Sequence, residues 1–139
     1  MSVSRQDTVR IQAPASEILA ILLDPGALPE WNPAFSEVSA EGAATVGLPN
    51  PIRVRGFVRG ELVYDAISER EVAITIRIPG MTERGTWALE QSQGGTTVTH
   101  AFTQSGMLAH LLESATRDVA GLRVARLAER VAHPHAVIS

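Results

Sequence analysis

His100 is the side chain whose type and position most directly suggest chemistry. The stretch Thr96 to Ser105 alternates, so that Val98, His100, Phe102 and Gln104 share one face of a strand. Desolvation of an imidazole on an apolar face lowers its pKa and keeps it neutral, able to accept or give a proton. The other reading of an inward histidine is a core side chain whose ring nitrogens are satisfied by neighbours. Tyr64 is the only tyrosine. If it faces inward with Leu62 and Ala66, its hydroxyl can polarise a carbonyl. The opposite register turns Val63, Asp65 and Ile67 inward and makes Asp65 a buried carboxylate. The alternation of Leu62, Tyr64 and Ala66 favours the tyrosine. Gln104 shares parity with His100 and is a polar partner for a bound group, whereas Arg84, opposite Trp87 in parity, is expected outside. His110 and Glu113 are three residues apart but lie off the apolar stripe of their helix, so they read as solvated. His133-Pro134-His135 matches no metal-ligand spacing. No metal and no cofactor is expected, and there is no nucleophile elbow, phosphate loop or dinucleotide fingerprint.

Composition narrows the chemistry further. The chain contains no cysteine, and its 12 basic residues are all arginine. Thiolate nucleophiles, cysteine zinc sites and Schiff-base chemistry at a lysine are therefore closed. A net charge of −3 argues against nucleic acid as a partner. The longest apolar run, Ile18 to Leu23, is too short to span a membrane, and the opening residues lack the pattern of a secretory leader, so a cytoplasmic location is expected. With 139 residues, one domain over 1–139 is expected, with 133–139 as a frayed tail.

The elements that must position these side chains follow from periodicity. Thr8 to Ala13 alternates as a strand, and Pro14 opens a short helix with Ile18, Ile21 and Leu22 on its buried side. Asp24-Pro25-Gly26 ends that helix, and a second short helix is expected over Ala27 to Trp31. Phe35 to Glu41 reads as a strand and Gly42 to Pro51 as a loop. Ile52, Val54, Gly56 and Val58 then alternate with Arg53, Arg55, Phe57 and Arg59, which predicts one strand with arginines outside. Strands are also expected over Glu61 to Ser68, over Glu71 to Ile78 with Ile74 and Ile76 inward, and over Thr82 to Gln91 with Gly85, Trp87 and Leu89 on one face. Gly94-Gly95 marks a hairpin into the last strand. From Met107 the period becomes helical as far as Ala132, with Leu108, Leu111, Leu112, Ala115, Val119 and Leu122 as a stripe. The stripe shifts after Gly121, which predicts a kink or one extra residue there. An antiparallel sheet with one apolar face needs a cover, and the terminal helix is the element long enough to supply it. The fold class is α+β.

Val9-Arg10-Ile11-Gln12-Ala13-Pro14-Ala15-Ser16-Glu17-Ile18, continued by Asp24-Pro25 and Pro29-Glu30-Trp31-Asn32-Pro33, resembles the N-terminal signature of the START-like superfamily. This superfamily is also called Bet v 1-like or SRPBCC. Gly85-Thr86-Trp87-Ala88-Leu89-Glu90 and Gly95-Thr96-Thr97-Val98-Thr99-His100 resemble the last hairpin of its bacterial polyketide cyclase/dehydrase branch. The resemblance implies a helix-grip fold: about seven curved antiparallel strands around a long C-terminal helix, with two short helices after the first strand. It also implies a cavity between sheet and helix for a hydrophobic small molecule, polyketide- or lipid-like, with the short helices at its mouth. In that frame His100 and Tyr64 are the candidate catalytic pair. Trp31 at the mouth, Trp87, Phe102, Gln104, Leu112, Val54, Ile74 and Ile76 are the candidate ligand contacts.

Members of the superfamily cyclise, aromatise or dehydrate their ligands, or only carry or sense them. One branch condenses amines with aldehydes through a lysine, a route closed here by composition. A homodimer stays open as an assembly, and three readings of function stay open: acid–base catalysis on a carbonyl compound, non-catalytic carriage or sensing, and an interaction module acting through a partner protein, with the cavity vestigial. Large apolar side chains sealing the interior would favour the last.

Overall fold

A computed structural model describes residues 2–134. Strand β1 covers Ser2–Ile11, helix α1 Ala15–Leu22 and a 3₁₀ turn Pro25–Glu30. Strands β2 to β7 follow at Glu37–Val38, Asn50–Val54, Val58–Ile67, Glu71–Ile78, Met81–Ser92 and Gly95–Ser105. Helix α2 covers Met107–Leu111, a second 3₁₀ turn Ser114–Thr116, and helix α3 Val119–Ala132. The strands form one antiparallel sheet in the order β1-β7-β6-β5-β4-β3-β2. Helix α3 packs on β1 and β7 and touches α1. This is the expected helix-grip architecture. The turns have sequence causes. Pro79-Gly80 joins Ile78 to Met81 with Gly80 at φ 86°, a conformation glycine adopts without a Cβ penalty.

Four expectations are corrected. The segment Ile52 to Arg59 is a hairpin, not one strand: Arg55 and Gly56 have φ of 55° and 81°, and Val54 pairs with Val58. Its alternation continues through the turn, so side-chain pattern alone does not show it. The strand over Phe35 to Glu41 shrinks to the two residues of β2. In β4 the register shifts between Tyr64 and Ala66. The bulge leaves Tyr64 and Leu62 buried but turns Ala66 out.

The terminal helix is also broken, at Leu112 to Asp118, upstream of Gly121, which lies within α3. Ser114, Thr116 and Asp118 fall in this stretch, residue types whose side chains compete for backbone partners. Thr116 Oγ1 donates to the Glu113 carbonyl at 3.1 Å, and Arg5 Nη2 reaches the same carbonyl from β1 at 2.9 Å. The break leaves Leu111 and Leu122 of the expected stripe 70% and 44% exposed. Of the expected tail, His133 and Pro134 are described; His135 and the residues after it lie outside the described residues.

The core lies between the concave sheet face, α1, the first 3₁₀ turn and α3. Ile18, Leu22, Leu28, Trp31, Leu62, Val72, Trp87, Val98 and Leu127 are among its members. No helix among the described residues is long and apolar enough to cross a membrane.

Candidate functional site

The register of β6 on β7 builds the site. Glu83 stands opposite Gln104, Gly85 opposite Phe102 and Trp87 opposite His100, all on the inward face. A Cβ on Gly85 would lie 3.2 Å from Phe102 Cβ and 3.6 Å from His100 Cε1, so the glycine makes room for both rings. From the other side, α3 buries Ala120, Arg123, Val124 and Leu127, spaced as one helical stripe, and Arg123 descends onto the strand residues.

Glu83 and Arg123 form a two-pronged ion pair. Arg123 Nη1 donates to Glu83 Oε2 at 2.9 Å and Nη2 donates to Oε1 at 3.0 Å. Both side chains are about 95% buried, with 4% and 5% exposed. Gln104 Nε2 adds a hydrogen bond to Glu83 Oε1 at 2.8 Å. Burial works to raise the Glu83 pKa. The Arg123 charge and hydrogen bonds, with Gln104, outweigh it and hold the carboxyl below its ordinary value. The guanidinium carbon sits 4.7 Å from the centroid of the Phe102 ring, a cation–π contact beneath the ion pair.

His100 is fixed at both nitrogens. The Thr86 carbonyl, 3.0 Å from Nδ1, can only accept, so Nδ1 carries the proton. Arg123 Nη1, 3.2 Å from Nε2, can only donate, so Nε2 offers its lone pair. The two partners select one neutral tautomer. Burial and then the Arg123 charge press the His100 pKa down to about 4, against the opposing influence of Thr86 and Glu83. Trp87 stacks on the imidazole with centroids 3.8 Å apart, and Trp31 meets Trp87 edge-on at 5.6 Å.

A largely enclosed cavity of about 20 Å³ adjoins this cluster. That is room for about one water molecule. His100, Trp87, Glu83 and Arg123 border it, with Ile74 and Ile76 from β5 and Leu22, Leu28, Asn32 and Phe35 from the N-terminal segment. The structure thus brings His100, Trp87, Ile74 and Ile76 together around the cavity. Phe102, Gln104 and Trp31 stand behind these, touching Arg123, Glu83 and Trp87 respectively. Tyr64 faces inward but apart from the cluster: its hydroxyl donates to the Leu22 carbonyl at 2.7 Å. Burial, and then the Asp24 charge, raise its pKa above the ordinary phenol value.

Two further expected contacts, Val54 and Leu112, join neither the cavity nor the side chains behind it. Val54 is half-buried at the end of β3, packed against the core, and Leu112 is half-buried just past α2, where the helix stops. Arg84, His110 and Glu113 are exposed, and among the described residues no cluster of metal-ligating side chains occurs. Glu83 and Arg123 are the members of the candidate site that sequence reasoning missed. Glu83 shares the parity of Gly85, Trp87 and Leu89, and Arg123 occupies a stripe position of α3. Both signals were present, hidden by the rule that charged side chains face water.

The sequence matches the family model described as "Polyketide cyclase / dehydrase and lipid transport" over residues 2–133. No curated protein matches it. Among solved structures, DynU16 from the dynemicin biosynthetic locus is 18% identical with a TM-score of 0.69, over 94% of this chain and 48% of that one. The chain therefore spans about half of DynU16. A START superfamily protein from Mycobacterium smegmatis is 14% identical with a TM-score of 0.72, over 94% and 98% of the two chains. Norcoclaurine synthase from Thalictrum flavum, as a point mutant bound to a transition-state analogue, is 11% identical with a TM-score of 0.72, over 98% of each. At these identities the structures share the fold.

Proposed function

Since the chain belongs to the polyketide cyclase/dehydrase and lipid transport family, we propose that it binds a hydrophobic small molecule between the sheet and α3 and holds it without chemical turnover. The family supports a hydrophobic ligand, and a mostly apolar surround with a few converging polar groups is the ordinary make-up of a small-molecule site. The observation that carries the non-catalytic part is the state of His100. A general base needs a free lone pair within reach of substrate. Here Nε2 already receives a hydrogen from Arg123, and the Nδ1 proton is given to Thr86. The Tyr64 hydroxyl proton is likewise committed to Leu22. What remains is a polar anchor and an aromatic wall, which suit carriage or sensing.

Native mass spectrometry of gently purified protein tests this reading. The expected result is a co-purifying hydrophobic compound, released on denaturation and unchanged in mass after incubation with fresh protein. Conversion of that compound to a new mass, abolished by His100→Ala while binding persists, would overturn it in favour of acid–base catalysis.

Two observations favour a second reading. A cavity of about 20 Å³ is far below the roughly 300 Å³ or more of an ordinary ligand pocket. Phe57, Met107 and Leu111 are meanwhile 75%, 79% and 70% exposed. A protein-interaction module with a filled interior has both features. It predicts native spectra without ligand and with a partner, a second copy included.

A further inference from the structure

The charges bordering the cavity carry information about the ligand. Glu83 and Arg123 are the ionised side chains bordering it among the described residues, and they cancel each other within one ion pair. His100 is held there as a neutral ring. The pair is not saturated, however. Both Nη1 hydrogens of Arg123 are used, one on Glu83 and one on His100, and Nη2 donates to Glu83. Arg123 Nε is buried with no partner, and so is Gln104 Oε1.

We propose that the inner end of the ligand is an uncharged oxygen group, such as a ketone, enol or phenol, and that the Glu83–Arg123 pair discriminates against carboxylates. The inference rests on the binding reading above and goes further by naming the class of polar group. A carboxylate has two options here, both unfavourable. It can sit beside the intact pair, adding a negative charge near Glu83 where little water screens it. Or it can take Arg123 from Glu83, which leaves Glu83 buried without a counter-ion. An ammonium meets the converse problem with Arg123. A neutral oxygen can accept the spare Nε hydrogen without displacing either ion. A flat conjugated group gains further from Trp87, whose face is backed by the His100 ring.

The test compares methyl nonyl ketone, undecanoic acid and undecylamine, which share a carbon count, as titrants at neutral pH. The readout is the emission of Trp31 and Trp87, the two tryptophans of the chain. The ketone is expected to bind at least about tenfold more tightly than the acid or the amine. In Glu83→Gln the Arg123 charge is no longer cancelled, and the acid is expected to overtake the ketone. Acid binding as tight as ketone binding in the unaltered protein overturns the inference and leaves the binding reading intact. An unchanged acid-to-ketone ratio in folded Glu83→Gln overturns it as well. Should that variant not fold, the ratio in the unaltered protein decides alone. No binding by any of the three overturns the binding reading, and the inference with it.

Discussion

Glu83 and Arg123 are separated by 2.9 Å inside an apolar core, so each stabilises the other only while both are present. Removing one strands the other charge away from water, at a cost of about 3–5 kcal/mol. Glu83→Ala and Arg123→Ala are therefore each expected to lower stability by that amount in urea denaturation. The double replacement Glu83→Leu with Arg123→Met is expected to cost less than either single change, because no unpaired ion remains. His100 sets a pH window of its own. Its folded pKa of about 4 lies below the ordinary 6.5, so the folded state disfavours the proton. That contribution is complete above 6.5 and is lost as the pH falls from 6.5 to about 4, roughly 3 kcal/mol in all. Glu83 acts in the same direction at lower pH, its contribution disappearing as the pH falls through its depressed folded value. Urea midpoints measured across this range are expected to fall on acidification, with the upper part of the slope flattened in His100→Asn. At this scale the sequence showed which face each β7 residue takes, because strict alternation fixes it. It did not show that an imidazole, a carboxylate and a guanidinium meet, since that depends on where α3 crosses the sheet.

Elements were legible wherever the backbone repeats and obscure wherever a local contact interrupts the repeat. Strands β5 to β7 and their turns follow from alternation and from Pro79-Gly80 and Gly94-Gly95. The break between α2 and α3 does not, because apolar residues continue at helical spacing while Arg5 captures a carbonyl from a distant strand. Gly106 is the element boundary most open to test. Its φ of 105° and ψ of 170° lie in a region essentially reserved for glycine, and an added Cβ would collide with the Gly80 carbonyl oxygen. Gly106→Ala is expected to destabilise the fold by about 2 kcal/mol or more, read from the shift in urea midpoint. Its effect should centre on the junction of β7, α2 and the β5–β6 turn, where the Leu108 N–H donates to Gly80 at 3.0 Å.

For the whole molecule, the family resemblance anticipated the helix-grip architecture, but the volume inside it could not be read from sequence. Filling depends on how Trp31, Phe35 and Trp87 meet, which is a property of packing and not of pattern. A space for one water cannot take a ligand of any size without movement, so binding must be coupled to opening. Stopped-flow titration with methyl nonyl ketone is therefore expected to give an observed rate that levels off as ligand concentration rises. A rate linear in ligand throughout would mean that the interior is open before binding. The ring N–H that His100 directs at the Thr86 carbonyl bears on the same question. Shielded within a core residue only 2% exposed, that proton should exchange slowly with solvent and give its own NMR resonance, at a nitrogen shift diagnostic of the Nδ1-protonated tautomer. Its lifetime would serve as a clock for the interior, recording how often the molecule opens when nothing is there to enter.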